Sequence, residues 1–230
     1  MSGAASHEPG GFPELEEETL RHLEGKSYVV GTNEYRLTRL VGESMNIYHR
    51  LRRAVFWATR ISDGFEVVVK FFIECGFHKP PYFLQHPILA TVDPHRGIFN
   101  RLRSTVIEGE FQALDAAEDV KGLPHILDRS RSSGEVVQGP EFEYPGGRLD
   151  IVAMTRLPGY PLNFFEGQLQ LWEVDHVKGE VLRIVRELRQ RGQAYVDGDP
   201  DKVIFDRRSL QSGYLLSRTR TSHLSSRVPY

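Results

Sequence analysis

The sequence predicts an α+β protein, because β-type and helical patterns occupy different parts of the chain. Three β-type runs come first, at residues 35–41, 54–60 and 65–72. Asp63-Gly64 between the last two is a strong hairpin-turn signal. Helical spacing follows at 99–117, and a longer amphipathic helix is predicted at 174–188. We therefore expect an antiparallel sheet early in the chain and a long helix late in it.

Composition narrows the classes of function. The 230 residues are 40% hydrophobic and 26% charged, with a formal net charge of −2, which argues against nucleic-acid or membrane-surface binding through bulk charge. Cys75 is the single cysteine, so an intrachain disulfide is excluded. No apolar run approaches the roughly 20 residues that cross a bilayer, and the N-terminus lacks the pattern of a secretory signal. The expected location is the cytoplasm or the nucleus, with no membrane partner.

Shorter segments complete the prediction. Residues 1–30 form an extension with a short helix, and 73–98 form an insertion without a clear period. Short strands are predicted at 126–128, 150–154 and 203–205, a turn at 157–160 and a disordered tail at 217–230. The tryptophans, Trp57 and Trp172, are predicted to lie in the core.

Two charged residues interrupt apolar patterns. Lys70 lies in the run FEVVVKFF, where a lysine is costly unless its ammonium finds a partner or water. Glu110 breaks the apolar stripe of the 99–117 helix between Val106 and Leu114. We expect an inward-facing ion pair that positions a phosphate-binding lysine. The alternative is that each side chain reaches solvent at the edge of its element.

An acidic loop follows the long helix. The stretch YVDGDPDKVIFD at 195–206 places four aspartates around a short β-type run. It has the form of a catalytic loop mounted between a helix and a strand. A solvated acidic turn is the simpler interpretation.

The order of these elements resembles the protein-kinase-like fold, and more closely the kinase-like domains common in fungal genomes. The stretches that carry the resemblance are VVVK at 67–70, MTRLPGYPL at 154–162 and the acidic loop. The resemblance implies a two-lobe fold. Its N-lobe, a sheet plus one helix, would span 31–157, and a partial, mainly helical C-lobe would span 158–216.

The resemblance also implies a role for individual residues. Lys70 would contact the α and β phosphates of ATP, held by Glu110, and Asp197 would be the catalytic base. Gly42 would remain from the glycine-rich loop. The base pocket would be formed by Val55, Val68, Met154 as gatekeeper, and the hinge residues Thr155, Arg156 and Leu157.

Departures from the family pattern put catalysis in question. Lys202 stands where the family has a metal-binding asparagine, and an ammonium cannot ligate Mg²⁺. Ser217 falls near the position of the second metal-binding residue, which argues against a Mg²⁺ site. The chain ends soon afterwards, so the helices that complete the larger lobe are expected to be missing.

Three hypotheses follow. The first is a nucleotide-binding, kinase-like domain with degenerate or truncated catalytic machinery. The second is an active ATP-dependent phosphotransferase that acts on a protein or small-molecule hydroxyl. The third is an interaction module or incomplete gene product that needs a protein partner to cover its unfinished C-lobe.

Overall fold

A seven-stranded antiparallel sheet dominates the protein. The computed structural model describes residues 20–46, 51–75, 96–130, 136–195, 202–214 and 219–221. The strands of the main sheet are β1 (Ser27–Val30), β2 (Asn33–Asn46), β3 (Leu51–Arg60), β4 (Glu66–Glu74), β5 (Ile126–Arg129), β6 (Val136–Val137) and β7 (Arg148–Thr155). Their order is β1-β2-β3-β4-β7-β5, and β6 pairs with β7. A 3-10 turn at Leu20–Leu23 precedes the sheet.

The other described elements are two helices and five short strands. Helix α1 is Arg96–Ala116 and helix α2 is Leu171–Gln190. The short strands are β8 (Tyr160–Pro161), β9 (Gln193–Tyr195), β10 (Val203–Asp206), β11 (Gln211–Tyr214) and β12 (Thr219–Thr221). They form two small sheets, β11-β10-β8 and β12-β9.

The predicted two-lobe, kinase-like fold with a helical C-lobe is wrong. The described residues are mostly strand, and the main sheet curls into a nearly closed, barrel-like form. After β7, α2 is the one α-helix among the described residues, and the described residues from Gln193 onward form short strands. The elements predicted from periodicity are confirmed, including β2, β3, β4, α1 and α2. The order of elements along a chain does not specify how a sheet closes, so the error lies in their assembly.

A polar seam brings the two ends of the sheet together. Asp128 in β5 accepts a hydrogen bond from Asn33 Nδ2 at 2.9 Å and another from the hydroxyl of Tyr35. Both donors lie at the start of β2, next to the edge strand β1. Gly31 lies against the same carboxylate, because a Cβ at this residue would come within 2.6 Å of Asp128 Oδ1. Its φ of +61° also suits glycine.

Two apolar cores lie on opposite faces of the sheet. One core fills the inside of the curl and includes Tyr35, Leu37, Phe56, Val69, Phe71 and Ile151. The other covers the outer face, where it joins β4 and β7 to the helices and to β10 through Val68, Phe72, Ile107, Phe111, Met154, Ile184, Leu188, Val203 and Phe205. β4 is buried along nearly its whole length, as predicted for a strand covered on both faces.

Trp172 is not a core residue. It lies in the first turn of α2 with 51% of its surface exposed, so the prediction for this residue is wrong. Trp57 is partly buried and packs at the edge of the outer core. Neither helix of the described residues has the length and apolar character needed to cross a membrane.

Candidate functional site

Lys70 lies in the middle of β4 on the outer face of the sheet. Its direct cross-strand neighbours are Val55 in β3 and Val152 in β7. Only 5% of its surface is exposed. Directly opposite residues of paired strands share a face, so the ammonium lies among apolar side chains. A lysine in this environment needs a specific anionic partner.

Glu110 of α1 supplies that partner. Its carboxylate forms a buried ion pair with Lys70 Nζ, and only 1% of the residue is exposed. Ile107 and Phe111 on the same helix are buried in the outer core, and their packing holds Glu110 against the sheet. The ion pair predicted from the two interrupted apolar patterns is confirmed, and the alternative of two solvated side chains is wrong.

The surroundings of Lys70 are cationic. Burial lowers the pKa of its ammonium, and the charge of Glu110 opposes this shift. Arg53 and Lys202 lower the pKa further by repulsion, so both lie within electrostatic reach of Lys70. Arg53 faces Phe72, the next residue of β4 on the same face as Lys70. Lys202 directly precedes β10.

The apolar residues predicted to contact the base lie together beside Lys70. Val68 and Met154 are cross-strand neighbours, buried to 5% and 3% exposure. Val55 packs against the same core and pairs in register with both Lys70 and Gly42. A Cβ at Gly42 would meet no atom within 4 Å, so this position does not need glycine for steric reasons.

The segment predicted as a hinge is partly engaged elsewhere. The Thr155 N–H donates to the carbonyl of His125 at 2.9 Å, and Thr155 Oγ1 accepts from the His125 N–H at 2.8 Å. The backbone N–H of Thr155 is therefore not available to a ligand in this conformation. Leu157 lies partly buried beside Gly213 and lines a cleft away from Lys70.

The predicted catalytic and metal-binding positions fall mostly outside the described residues. Asp197 and Ser217 lie outside the described residues, while Lys202 lies within them and is partly buried. Among the described residues, no group of three or more histidine, cysteine or carboxylate side chains is arranged to hold a metal ion.

Lys70 lies in neither of two clefts on the described surface. A shallow groove of about 680 Å³ lies between the β3–β4 turn and the chain after β7, lined by Phe65, Glu66, Thr155, Arg156 and Pro158 among others. A smaller cleft of about 300 Å³ lies between α2 and the β10–β11 turn. Lys70 instead lies beneath the contact of the sheet with α1 and the segment around β10.

An aromatic and cationic group next to the larger groove was not predicted. The Arg156 guanidinium carbon lies 4.2 Å from the centroid of the Trp57 ring, and Arg39 lies 5.4 Å from it. Tyr160 contacts Trp57 edge to face with ring centroids 5.8 Å apart. The alternation of β3 places Trp57 on the same face as Val55, but it gave no sign that the ring lies against Arg156.

The fold and site define a protein with a nearly closed antiparallel sheet and a buried lysine–glutamate pair on its outer face. The sequence matches no model of a known protein family, and no curated protein matches it. The buried pair and the cations around it are therefore the evidence on which a functional proposal rests.

Proposed function

We propose that the protein binds a nucleotide through its phosphates at the Lys70 site, without metal-assisted phosphoryl transfer. The observation that carries this proposal is the buried ion pair of Lys70 with Glu110, with Arg53 and Lys202 within electrostatic reach of Lys70. A bound phosphate would offset the repulsion from Arg53 and Lys202, which adds to the burial that lowers the pKa of Lys70. It would also gain charge-assisted hydrogen bonds, which are roughly twice as strong as neutral ones.

Glu110 gives the lysine a fixed position. A buried ion pair is seldom more stabilising than an apolar pair of the same shape, so its presence here favours a positioning role over a stabilising one. With Glu110 held by α1, the ammonium of Lys70 is kept on the sheet face that also carries Val55, Val68 and Met154. Lys70, Val68 and Met154 are each at most 5% exposed, so a nucleotide contacts this face with its phosphates and its ring only after the segment that covers the face has moved.

The charges near the site favour binding over catalysis. Magnesium prefers oxygen ligands, and Lys202 brings an ammonium to the neighbourhood of Lys70 instead. Phosphoryl transfer depends largely on positioning and on stabilisation of developing negative charge, usually with a metal ion. Nucleotide binding that depends on lysine and arginine alone should not require Mg²⁺.

Isothermal titration with ATP tests the proposal. We expect binding both with Mg²⁺ and with EDTA, and a loss of affinity of about tenfold or more in K70M, as for a lost hydrogen bond to a charged group. K178M is the matched control, because Lys178 is an exposed lysine on α2. Circular dichroism checks that both variants are folded. Absence of binding by the folded wild type under both conditions would exclude the proposal.

A further inference from the structure

Trp57 is placed to contact a ligand whose phosphates lie at Lys70. It follows Val55 by two residues on β3, and its cross-strand neighbour is Val68, which in turn pairs with Met154. Same-face residues along a strand are roughly 7 Å apart, and neighbouring strands are separated by about 4.8 Å. The distance between the indole and Lys70 is therefore one that a single bound nucleotide can span.

Arg156 covers the indole ring. Its guanidinium is planar and lies at 4.2 Å, a stacking distance that a flat heteroaromatic base could also adopt. The same guanidinium pairs with Glu66, Nη1 to Oε2 at 2.9 Å. The Glu66 side chain is 69% exposed, so Arg156 has a partner on the solvent side of the groove. Such an exposed pair is weak, and Arg156 can exchange its position at small cost.

We propose that Trp57 stacks on the base of the bound nucleotide, and that Arg156 occupies this place on the ring in the unliganded protein. This inference rests on the proposed function, because it assigns the base subsite of the same ligand. Binding then requires the Arg156 guanidinium to move off the ring, and its ion pair with Glu66 can hold it in the displaced position. Arg156 is a competitor of the base, and its removal should strengthen binding.

Intrinsic fluorescence provides a direct readout. The chain has two tryptophans, so W172F leaves Trp57 as the single reporter. In this background we expect ATP and adenosine to quench Trp57 emission, and inorganic tripolyphosphate, which has no base, to leave it unchanged. A W57F protein, in which Trp172 is the reporter, should show no base-dependent quenching.

The affinities of variants for adenosine and ATP distinguish a competitor role of Arg156 from a purely structural one. R156A in the W172F background should bind adenosine and ATP about two- to fivefold more tightly, the gain expected when an exposed cation–π contact no longer competes. W57A should bind ATP about 5- to 100-fold more weakly, as for a lost base–aromatic stack. W57L, which keeps an apolar side chain at the position, replaces W57A should the latter fail to fold.

R60A is the matched control. Arg60 also pairs with a nearby carboxylate, Asp63, and lies over an exposed ring, Phe65, at 5.3 Å. It should leave both affinity and quenching unchanged.

The outcomes distinguish the two proposals. Binding of ATP and tripolyphosphate without quenching of Trp57, or with R156A no tighter than R60A, would overturn the base subsite and leave phosphate binding intact. No binding of either compound to wild type or R156A would overturn the proposed function, and the base subsite with it. Tighter binding by R156A together with base-dependent quenching would support both.

Discussion

Lys70 shows how one buried charge can be kept in an apolar strand. Burial in the outer core removes the hydration of its ammonium, which costs free energy. The ion pair with Glu110 compensates for part of that cost. Arg53 and Lys202 act in the opposite direction, because both repel the charge. The balance favours a lysine that releases its proton more easily than an exposed one.

The pH dependence of stability tests this balance. The pKa of Lys70 in the folded protein lies below the ordinary lysine value of 10.5. Between these two values the unfolded chain binds more protons than the folded protein, so the free energy of unfolding rises with pH. This contribution of Lys70 to the free energy of unfolding is complete above pH 10.5, and it is lost as the pH falls through the pKa that Lys70 has in the folded protein.

Urea denaturation from about pH 8 to about pH 10 gives the free energy of unfolding of wild type and of K70M/E110Q, which has neither charge. The difference between the two free energies measures the contribution of Lys70. The difference should increase with pH. Titration of other groups, including the tyrosines, is common to both proteins and cancels. K178M, which removes an exposed lysine of α2, is measured in parallel as the control. A flat or falling difference for Lys70 would show that its ammonium is well hydrated in the folded protein.

At the scale of elements, a close contact between two backbone segments holds the β11-β10-β8 sheet against the end of β7. Gly159 precedes β8 with a φ of +102°, and a Cβ at this residue would lie 2.2 Å from the carbonyl oxygen of Phe205. β8 pairs with β10 through Tyr160 and Phe205, which places Tyr160 beside Trp57. The turn at 157–160 was predicted from Pro158-Gly159, but the sequence did not indicate that β10 passes so close.

G159A should therefore be much more harmful than an ordinary substitution of a left-handed glycine. We expect a loss of about 3–5 kcal/mol, the sum of a left-handed backbone penalty and a clash with backbone atoms that cannot move aside. G192A is the matched comparison. Gly192 also has a positive φ, of +74°, but a Cβ there meets no atom within 4 Å.

The free energies of unfolding from denaturant titration decide between the two positions. G192A should lose only about 1–2 kcal/mol, the cost of the left-handed backbone alone. Equal losses for the two variants would mean that the contact between Gly159 and Phe205 is loose in solution.

At the scale of the whole molecule, periodicity predicted the elements but not their arrangement. Alternation and the Asp63-Gly64 turn identify β3 and β4, because each pattern is complete within a few residues. β1 was not predicted, since its four residues, SYVV, show no alternation of polar and apolar side chains. Resemblance to a known fold supplied the arrangement, and here it failed, because the curl of a sheet depends on contacts between distant residues.

The residues of the candidate site, too, were predicted only in part. Lys70 and Glu110 could be found from the sequence because each interrupts a regular apolar pattern, and an interruption is visible without knowledge of the partner. Trp57 continues the pattern of its strand, so nothing in the sequence indicated that its ring lies against Arg156 at the edge of the outer core. Arg53 and Lys202 belong to elements far apart in the chain, and their approach to Lys70 is a property of the assembled fold.

The seam at Asp128 is a long-range contact between the two ends of the sheet. Asn33 and Tyr35 are separated from Asp128 by 95 and 93 residues, and the two bonds join β2 to β5 across the open side of the curl. Tyr35 is fully buried, and burial together with its bond to Asp128 raises the pKa of its hydroxyl. Loss of the carboxylate would leave the Tyr35 hydroxyl buried without this acceptor, which is costly.

D128A should lower the free energy of unfolding by about 2–4 kcal/mol, since it removes two hydrogen bonds to a charged acceptor. It should also speed amide hydrogen exchange in β1 and β5, while β3 and β4, in the middle of the sheet, keep their protection. D63A is the control, because Asp63 is an aspartate bound only within its own hairpin, by Arg60 and the Phe65 N–H. It should raise exchange around the β3–β4 turn and leave the protection of β1 and β5 unchanged. If D128A instead raised exchange evenly across the sheet, or left β1 and β5 protected, closure would depend on the apolar core inside the curl and not on the seam.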